Sequence, residues 1–417
     1  MFCAGPDSVS LADKGKGLYS APLSNLTESP ECRMLDGTCY MTRNEPSSLP
    51  APQMEEDPRF LTEQIVTYLG NKRSLLHFLG TGLEQVKKRL GKERLKAGDL
   101  FSGSGIVARF LKQHSEDLIV NDLEEYSRVV NTCYLSNAEE VENLELDRHY
   151  RRLLRYMETH EFPGFITELY APRNPDCITA DDRVFYTRRN AVYLDTVRQT
   201  INLLPAEVRP YFIAPLLAEA SVHTNTSGVF KGFYKDRNGI GKFGGTGGNA
   251  LSRILGEISL PFPVFSRFDC RYSIHCRDAN ELAAELPEMD VVYLDPPYNQ
   301  HPYGSNYFML NLLSSYEKPE ETSRVSGIPA DWKRSTYNSR QHAPEALFRL
   351  LEDCPAKFIL LSYSSEGFIN YEEMTGFLGR LGHTVTLETS YAAFRGSRNF
   401  RNRPQNVTEF LFLVERF

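Results

Sequence analysis

The chain has 417 residues, a formal net charge of −7, and is 41% hydrophobic and 24% charged. That length allows two or three domains with separate cores, in a composition ordinary for a soluble globular protein. No apolar run approaches the eighteen or so residues a spanning helix needs, and the start, MFCAGPDSVS, lacks the basic and apolar regions of a signal peptide, so the cytoplasm is the expected location and no membrane partner is expected.

Residues 1–57 are rich in Ser, Pro and Gly with little periodicity and read as a disordered leader. From Phe60 to Arg89 a helical pattern is interrupted at Gly70-Asn71-Lys72. After that, strands are expected at Leu95 to Phe101, Asp117 to Asn121, Tyr272 to Arg277, Val291 to Leu294, Phe358 to Tyr363, Thr384 to Ser390 and Thr408 to Val414. Helical segments at Ile106 to His114, Glu124 to Leu135, Asn280 to Leu286 and Tyr371 to Leu381 lie between most of them. This alternation predicts an α/β fold with a mostly parallel, doubly wound sheet. Between the second helix and the third strand the chain is far longer than a crossover needs, so residues 140–265 are expected to form an insertion between two core parts, 58–139 and 266–417. The last two strands, joined by a short loop, must pair antiparallel at the end of the sheet.

The eight cysteines form no C-x-x-C pair, which gives neither a disulfide framework nor a zinc site, and no metal is expected. The chemistry-bearing residues lie at strand ends instead. Asp99-Leu-Phe101-Ser-Gly103-Ser-Gly105 ends the first strand and opens a helix; its glycines permit a tight turn and close approach of a ligand to the backbone. Asp122 closes the next strand, where a carboxylate can accept from ribose hydroxyls. Gly103, Gly105 and Ala108 with that downstream acid imply an adenosine-containing cofactor and leave the reaction open, an NAD-dependent oxidoreductase included. Asp278-Ala279 follows the third strand, where an Asp is equally a helix N-cap. Asp295-Pro296-Pro297-Tyr298 follows the fourth. The prolines supply no N–H and fix φ, so Asp295 and Tyr298 are held stiffly at the strand's end. Four acids at successive strand ends face one crevice.

Basic clusters lie at Arg148 to Arg155, at Lys231, Lys235, Arg237 and Lys242, and at Arg395, Arg398, Arg401 and Arg403. The first looks helical and reads as readily as a solvated face; the other two lie in Gly-rich or Asn-rich sequence, where phosphate-contacting loops are usually found.

With its motifs in this order the chain resembles the Dam-type (alpha-group) DNA adenine methyltransferases, which use S-adenosylmethionine. Tyr68-Leu-Gly70-Asn71-Lys72 is similar to the family's N-terminal cofactor motif, with Gly-Asn-Lys where many relatives have Gly-Gly-Lys. Phe101-Ser-Gly103-Ser-Gly105 resembles its F-x-G-x-G loop and Asp295-Pro-Pro-Tyr298 its catalytic tetrapeptide. The resemblance covers residues 60–417 and implies a Rossmann-like methyltransferase fold with an inserted target-recognition domain. It implies S-adenosyl-L-methionine as cofactor, held by Tyr68, Asn71, Lys72, Asp99, Phe101, Gly103, Gly105, Asp122, Asp278 and Ala279. It also implies double-stranded DNA as substrate, gripped by the two basic loops, with either a cognate restriction endonuclease as a candidate partner or work as a stand-alone methylase. The adenine amino group is a poor nucleophile, and acceptance of its two N–H bonds by the Asp295 carboxylate and the Pro296 carbonyl would favour the pyramidal nitrogen that attacks a methyl group. Tyr298 would stack on the flipped base.

Three alternatives stay open at this point. An RNA adenine methyltransferase carries similar motifs, although such enzymes often lack the insertion. An NAD-dependent oxidoreductase shares the Gly-rich loop and gives Asp295-Pro-Pro-Tyr298 no role. A DNA-binding protein without catalysis would show erosion at the acids, and none is visible. Base-reading side chains are expected in Ser221 to Gly228 and in the Gly-rich run to Gly248.

Overall fold

Short apolar runs set the architecture: each becomes a strand of a single sheet in the computed structural model, which describes residues 55–392 and 406–417. The strands are β1 (Leu95–Asp99), β2 (Ser115–Asn121), β3 (Arg271–His275), β4 (Met289–Leu294), β5 (Ala356–Ser364), β6 (Gly382–Ala392) and β7 (Asn406–Arg416), in the order β3-β2-β1-β4-β5-β7-β6. Pairing is parallel from β3 through β5, whereas β7 runs antiparallel to both β5 and β6. The antiparallel pair expected at the end of the sheet is therefore present, with β7 lying inside β6. From β1 the chain winds outward to β2 and β3, then returns to lay β4 on the other side of β1. That reversal leaves a crevice beyond the carboxyl ends of β1 and β4, where open α/β sheets bind ligands.

The helices in chain order are α1 (Leu76–Leu90), α2 (Ile106–Lys112), α3 (Glu125–Tyr134), α4 (Ala138–Asn143), α5 (Leu146–Met157), α6 (Phe165–Tyr170), α7 (Arg188–Ile201), α8 (Pro210–Val222), α9 (Leu251–Leu255), α10 (Ala279–Ala283), α11 (Tyr303–Asn306), α12 (Phe308–Ser315), α13 (Ala343–Asp353) and α14 (Tyr371–Leu381). Strand side chains alternate between two cores. Val291, Tyr293, Phe358, Leu360, Leu411 and Leu413 pack with α1 and α2. Val292, Leu294, Ile359, Leu361, Phe412 and Val414 pack with α10, α13 and α14. Each such buried side chain contributes roughly 1.5–3 kcal/mol. β4 is buried along its whole length, which is why it reads as a continuous apolar run.

Helices α4 to α9 make up the insertion, whose buried residues do not close a core by themselves. Leu153, Leu194, Val197, Phe212 and Leu216 share one cluster with Val129 and Val130 of α3 and with Phe308 to Leu310 of α12. Asp195 organises the entry to α6: its buried carboxylate accepts from the backbone N–H groups of Gly164 (2.8 Å) and Thr167 (2.7 Å), the Thr167 hydroxyl (2.6 Å) and the Tyr316 hydroxyl (2.7 Å).

The helical pattern expected from Phe60 is not realised before a 3-10 turn, Lys72–Leu75, that leads into α1; residues 60–70 are turns and extended chain. The reason is Arg109. Its guanidinium, 1% exposed, takes the carbonyls of Phe60 (3.0 Å), Glu63 (3.2 Å) and Gln64 (2.9 Å), which a helix would have needed as its own acceptors. Gln64 also stands at φ 54°. The expected leader lies outside the described residues except for 55–57. Among the described residues no helix is long and apolar enough to cross a membrane.

Candidate active site at the sheet reversal

The turn after β1 shapes the floor of the crevice. Gly103 (φ 52°) and Gly105 (φ 75°) occupy the left-handed region, and a Cβ on them would come within 2.9 Å of the Tyr68 ring and of Asn131 Oδ1, respectively. Asp122 closes this turn from the end of β2: its two oxygens accept from the N–H groups of Gly103 (2.7 Å) and Glu124 (2.9 Å). Burial pushes the Asp122 carboxyl up against those hydrogen bonds. Asp99, the last residue of β1, is fully buried. The Phe101 N–H and Ser102 hydroxyl are the donors nearest to it, but neither closes a hydrogen bond of good geometry, so both carboxylate oxygens stay unpartnered among the described residues. Burial, then Asp295 and Asp122, hold its pKa well above the usual carboxylate range.

Asp295 stands at the end of β4, with 18% of its side chain exposed. Its partner is Lys72, whose Nζ lies 2.9 Å from Asp295 Oδ2 and 3.1 Å from Glu409 Oε1 of β7. Burial alone would lower the Lys72 pKa; the two carboxylates outweigh it and raise it well above the ordinary value. Burial raises Asp295 to about 6, with Lys72 pulling it down and Glu409 pushing it up. Pro296 is buried beneath the segment. Tyr298 is half-buried, its ring edge-on to Tyr363 at 6.1 Å, and its carbonyl accepts from the Phe368 N–H at 3.0 Å. Tyr68, Tyr303 and Tyr307 stack on one another, with Tyr68 5.0 Å from Tyr303 and 4.6 Å from Tyr307, and the Tyr68 hydroxyl lies 3.0 Å from that of Tyr126.

These groups surround an open cleft of ≈ 660 Å³. Of the residues expected from the sequence, Tyr68, Phe101, Asp122, Asp278, Ala279 and Asp295 line it. Asp278 is also the N-cap of α10, its Oδ1 accepting from Asn280 N–H at 2.8 Å. Asn71 caps the 3-10 turn, accepting from Arg73 N–H at 2.8 Å, and is not part of the lining. Lys72, Asp99, Gly103, Gly105, Pro296 and Tyr298 border the lining without belonging to it. A further wall, not expected from the sequence, is made by Glu124, Tyr303, Lys333, Tyr337 and Asn338. Lys333 donates to Leu123 O (2.7 Å), Tyr337 to Asn280 Oδ1 (2.7 Å) and Asn338 to Asn299 O (2.8 Å), which holds the 333–338 segment over the cleft. Glu409 was not expected either. An acid inside the apolar run Val407 to Val414 was the available signal, because a charge in a buried strand needs a partner.

The basic residues of the insertion sit on a small hairpin closed by a Lys235–Gly241 bridge. Lys231, Arg237 and Lys242 are exposed, and Lys235 lies 4.9 Å from the Phe233 ring centre. The hairpin is pinned by Asn225, whose amide donates to Val184 O (2.8 Å) and accepts from Gly244 N–H (3.0 Å). Its base is tied to α11 by Phe230 N–H, which donates to Asn306 O at 2.7 Å. Ser221, Thr224, Asn225 and Thr226, expected among the base-reading side chains, are all buried: Asn225 scaffolds the hairpin, while the Ser221 hydroxyl accepts from Thr67 N–H at 2.8 Å. Arg395, Arg398, Arg401 and Arg403 lie outside the described residues.

A mostly parallel seven-stranded sheet with an antiparallel pair at one end and an acid-rich cleft at its reversal defines a Rossmann-like methyltransferase. Residues 68–377 match the D12 class N6 adenine-specific DNA methyltransferases, and the chain belongs to that family. It is 28% identical over 359 residues to the Type II methyltransferase M.CviAII of Paramecium bursaria Chlorella virus 1, covering 84% of this chain and 98% of that one. The Type II methyltransferase M.NlaIII of Neisseria lactamica is 27% identical over 360 residues, 84% of this chain and 99% of its own. M.FokI of Planomicrobium okeanokoites is 25% identical over 361 residues, 84% of this chain and 52% of the relative. Family membership removes the oxidoreductase and RNA-directed readings.

Proposed function

We propose that the protein transfers the methyl group of S-adenosyl-L-methionine to the amino nitrogen of a flipped adenine in duplex DNA, as the modification partner of a restriction endonuclease. The observation that carries the site assignment is the pair of acids at the reversal, Asp99 unpartnered at the end of β1 and Asp295 partly exposed at the end of β4. The residues fit the cofactor: a buried carboxylate without a donor suits a cationic ligand, and an open cleft lined by Tyr68, Phe101, Asp122 and Asp278 offers ring faces and acceptors for a nucleoside. When bound, S-adenosylmethionine supplies an electrophilic methyl group. Tyr68, Phe101, Asp122, Asp278 and Ala279 hold it, with the Gly103 and Gly105 turn allowing close backbone approach and Asn71 and Lys72 shaping the neighbouring motif. Asp295 accepts one N–H of the adenine amino group and the Pro296 carbonyl the other, which directs the nitrogen lone pair at the incoming carbon; Tyr298 stacks on the base.

The order of cofactor motif, insertion and Asp-Pro-Pro-Tyr supports the Dam-type arrangement, with 140–265 as the target-recognition part between core segments 58–139 and 266–417. Lys231, Lys235, Arg237 and Lys242 meet DNA there, Arg395, Arg398, Arg401 and Arg403 grip the backbone, and the cytoplasm is the working compartment. Incubation with labelled S-adenosylmethionine and duplex DNA, followed by nucleoside analysis, tests the reading. N6-methyladenine in duplex DNA is expected, and label in no nucleoside would contradict it.

A further inference from the structure

We infer that Glu409 is a positioning residue for this reaction, acting on Asp295 through Lys72 from a strand outside the recognised motifs. The inference rests on the reading of Asp295 as the acid that meets the base. Its ground is the topology of the sheet's end. Because β7 inserts antiparallel beside β5, Glu409 pairs in register with Ser364 at the carboxyl end of β5, level with the site. Glu409 is 0% and Lys72 4% exposed, so neither charge is relieved by water. Lys72 Nζ divides its hydrogens between Asp295 Oδ2 (2.9 Å) and Glu409 Oε1 (3.1 Å), and the Ser362 hydroxyl donates to the same Oε1 at 2.6 Å. Glu409 Oε2 has no hydrogen-bond partner among the described residues.

Charge counting shows what the third member does. Lys72 with Asp295 alone would be a neutral pair, a weakened acceptor for the N–H groups of a base. With Glu409 the buried trio carries one net negative charge, and only Asp295 presents it to the cleft. Glu409 also fixes Lys72 from behind, which keeps the ammonium to one side of Asp295 and leaves the other carboxylate oxygen for the base. The remaining groups facing Asp295 are Asp99 at the end of β1, Tyr293 within β4, and Tyr303 of α11, with Tyr298 facing Lys72. None of them is changed by the variants below.

The test compares wild type, Glu409→Gln and Lys72→Met in single-turnover methylation of duplex DNA across pH, with melting temperature and S-adenosylmethionine affinity measured for Glu409→Gln. The acidic limb of the rate profile reports protonation of Asp295. Removing Glu409's charge lowers the Asp295 pKa, so that limb should move about one pH unit lower, with a plateau roughly tenfold below wild type from lost positioning. Removing the Lys72 charge should move the limb by about one unit or more in the opposite direction. Opposite shifts, with melting temperature and cofactor affinity of Glu409→Gln near wild type, support the inference. An unmoved limb in Glu409→Gln, or shifts of both variants in one direction, overturn it while leaving an active wild type and its proposed function intact. A wild type that fails to methylate duplex DNA at any pH overturns the functional reading, and this inference with it.

Discussion

Asp99 and Asp295 are neighbouring carboxyl groups with opposite surroundings. Asp295 is ionisable against a lysine and opens on the cleft; Asp99 is sealed without a donor of good geometry, and burial pushes its pKa well up. An acid whose pKa is raised in this way should hold its proton less tightly when a cation is placed beside it. Binding of S-adenosylmethionine is therefore expected to release a proton in the pH window between the free and bound pKa values of Asp99. Calorimetry in buffers of different ionisation enthalpy reads that proton, and Asp99→Asn should abolish it; equal release from the variant would assign it elsewhere. Tyr298 makes a different kind of claim, since its ring already leans on Tyr363. If the ring face carries the base, Tyr298→Phe keeps most activity and Tyr298→Ala loses roughly 1–3 kcal/mol of support for it. A 2-aminopurine at the target position reports this directly. The same base-flipping signal in both variants, with only melting temperature changed, would leave Tyr298 a packing residue.

At the scale of elements, the hairpin on Lys235–Gly241 presents charge from a rigid base, because Asn225 and the Phe230–Asn306 hydrogen bond fix where it leaves the insertion. Neutralising Lys231 and Lys242 should weaken binding to all duplexes and flatten the salt dependence by about one unit of slope per lost phosphate contact. A changed methylated sequence would instead show that these lysines read bases. Asn225→Ala should cost about 1–3 kcal/mol through carbonyls left unpaired, measurable by denaturant unfolding. The contrast explains what the sequence could and could not say. The seven strands were legible because apolar runs bounded by turn residues have few other readings, and the cleft acids because they sit at strand ends. Thr224, Asn225 and Thr226 were misread because polar side chains look exposed in a sequence, whereas here they serve as buried staples. The turns at 60–70 were hidden because Arg109, far along the chain, claims their carbonyls. The wall from Lys333 to Asn338 lies in a polar loop without periodicity, and nothing local marks where it docks.

On the scale of the whole molecule there are three cores, two on the faces of the sheet and a third that joins the insertion to α3 and α12; the crevice is bounded by this third core and by the one packed with α10, α13 and α14. The segment after Asp-Pro-Pro-Tyr thus belongs to the same packed body as the hairpin. In the proposed reaction, cofactor and base meet at separate acids of the cleft. This separation is tested most directly by calorimetric titration of S-adenosylmethionine into Asp295→Ala and Asp122→Ala, with N6-methyladenine formation in duplex DNA measured on the same preparations. Asp295→Ala should bind the cofactor nearly as wild type does and form no N6-methyladenine, whereas Asp122→Ala should lose roughly 1.5–3 kcal/mol of binding. Equal loss of cofactor binding in both variants, or methylation surviving in Asp295→Ala, would contradict it.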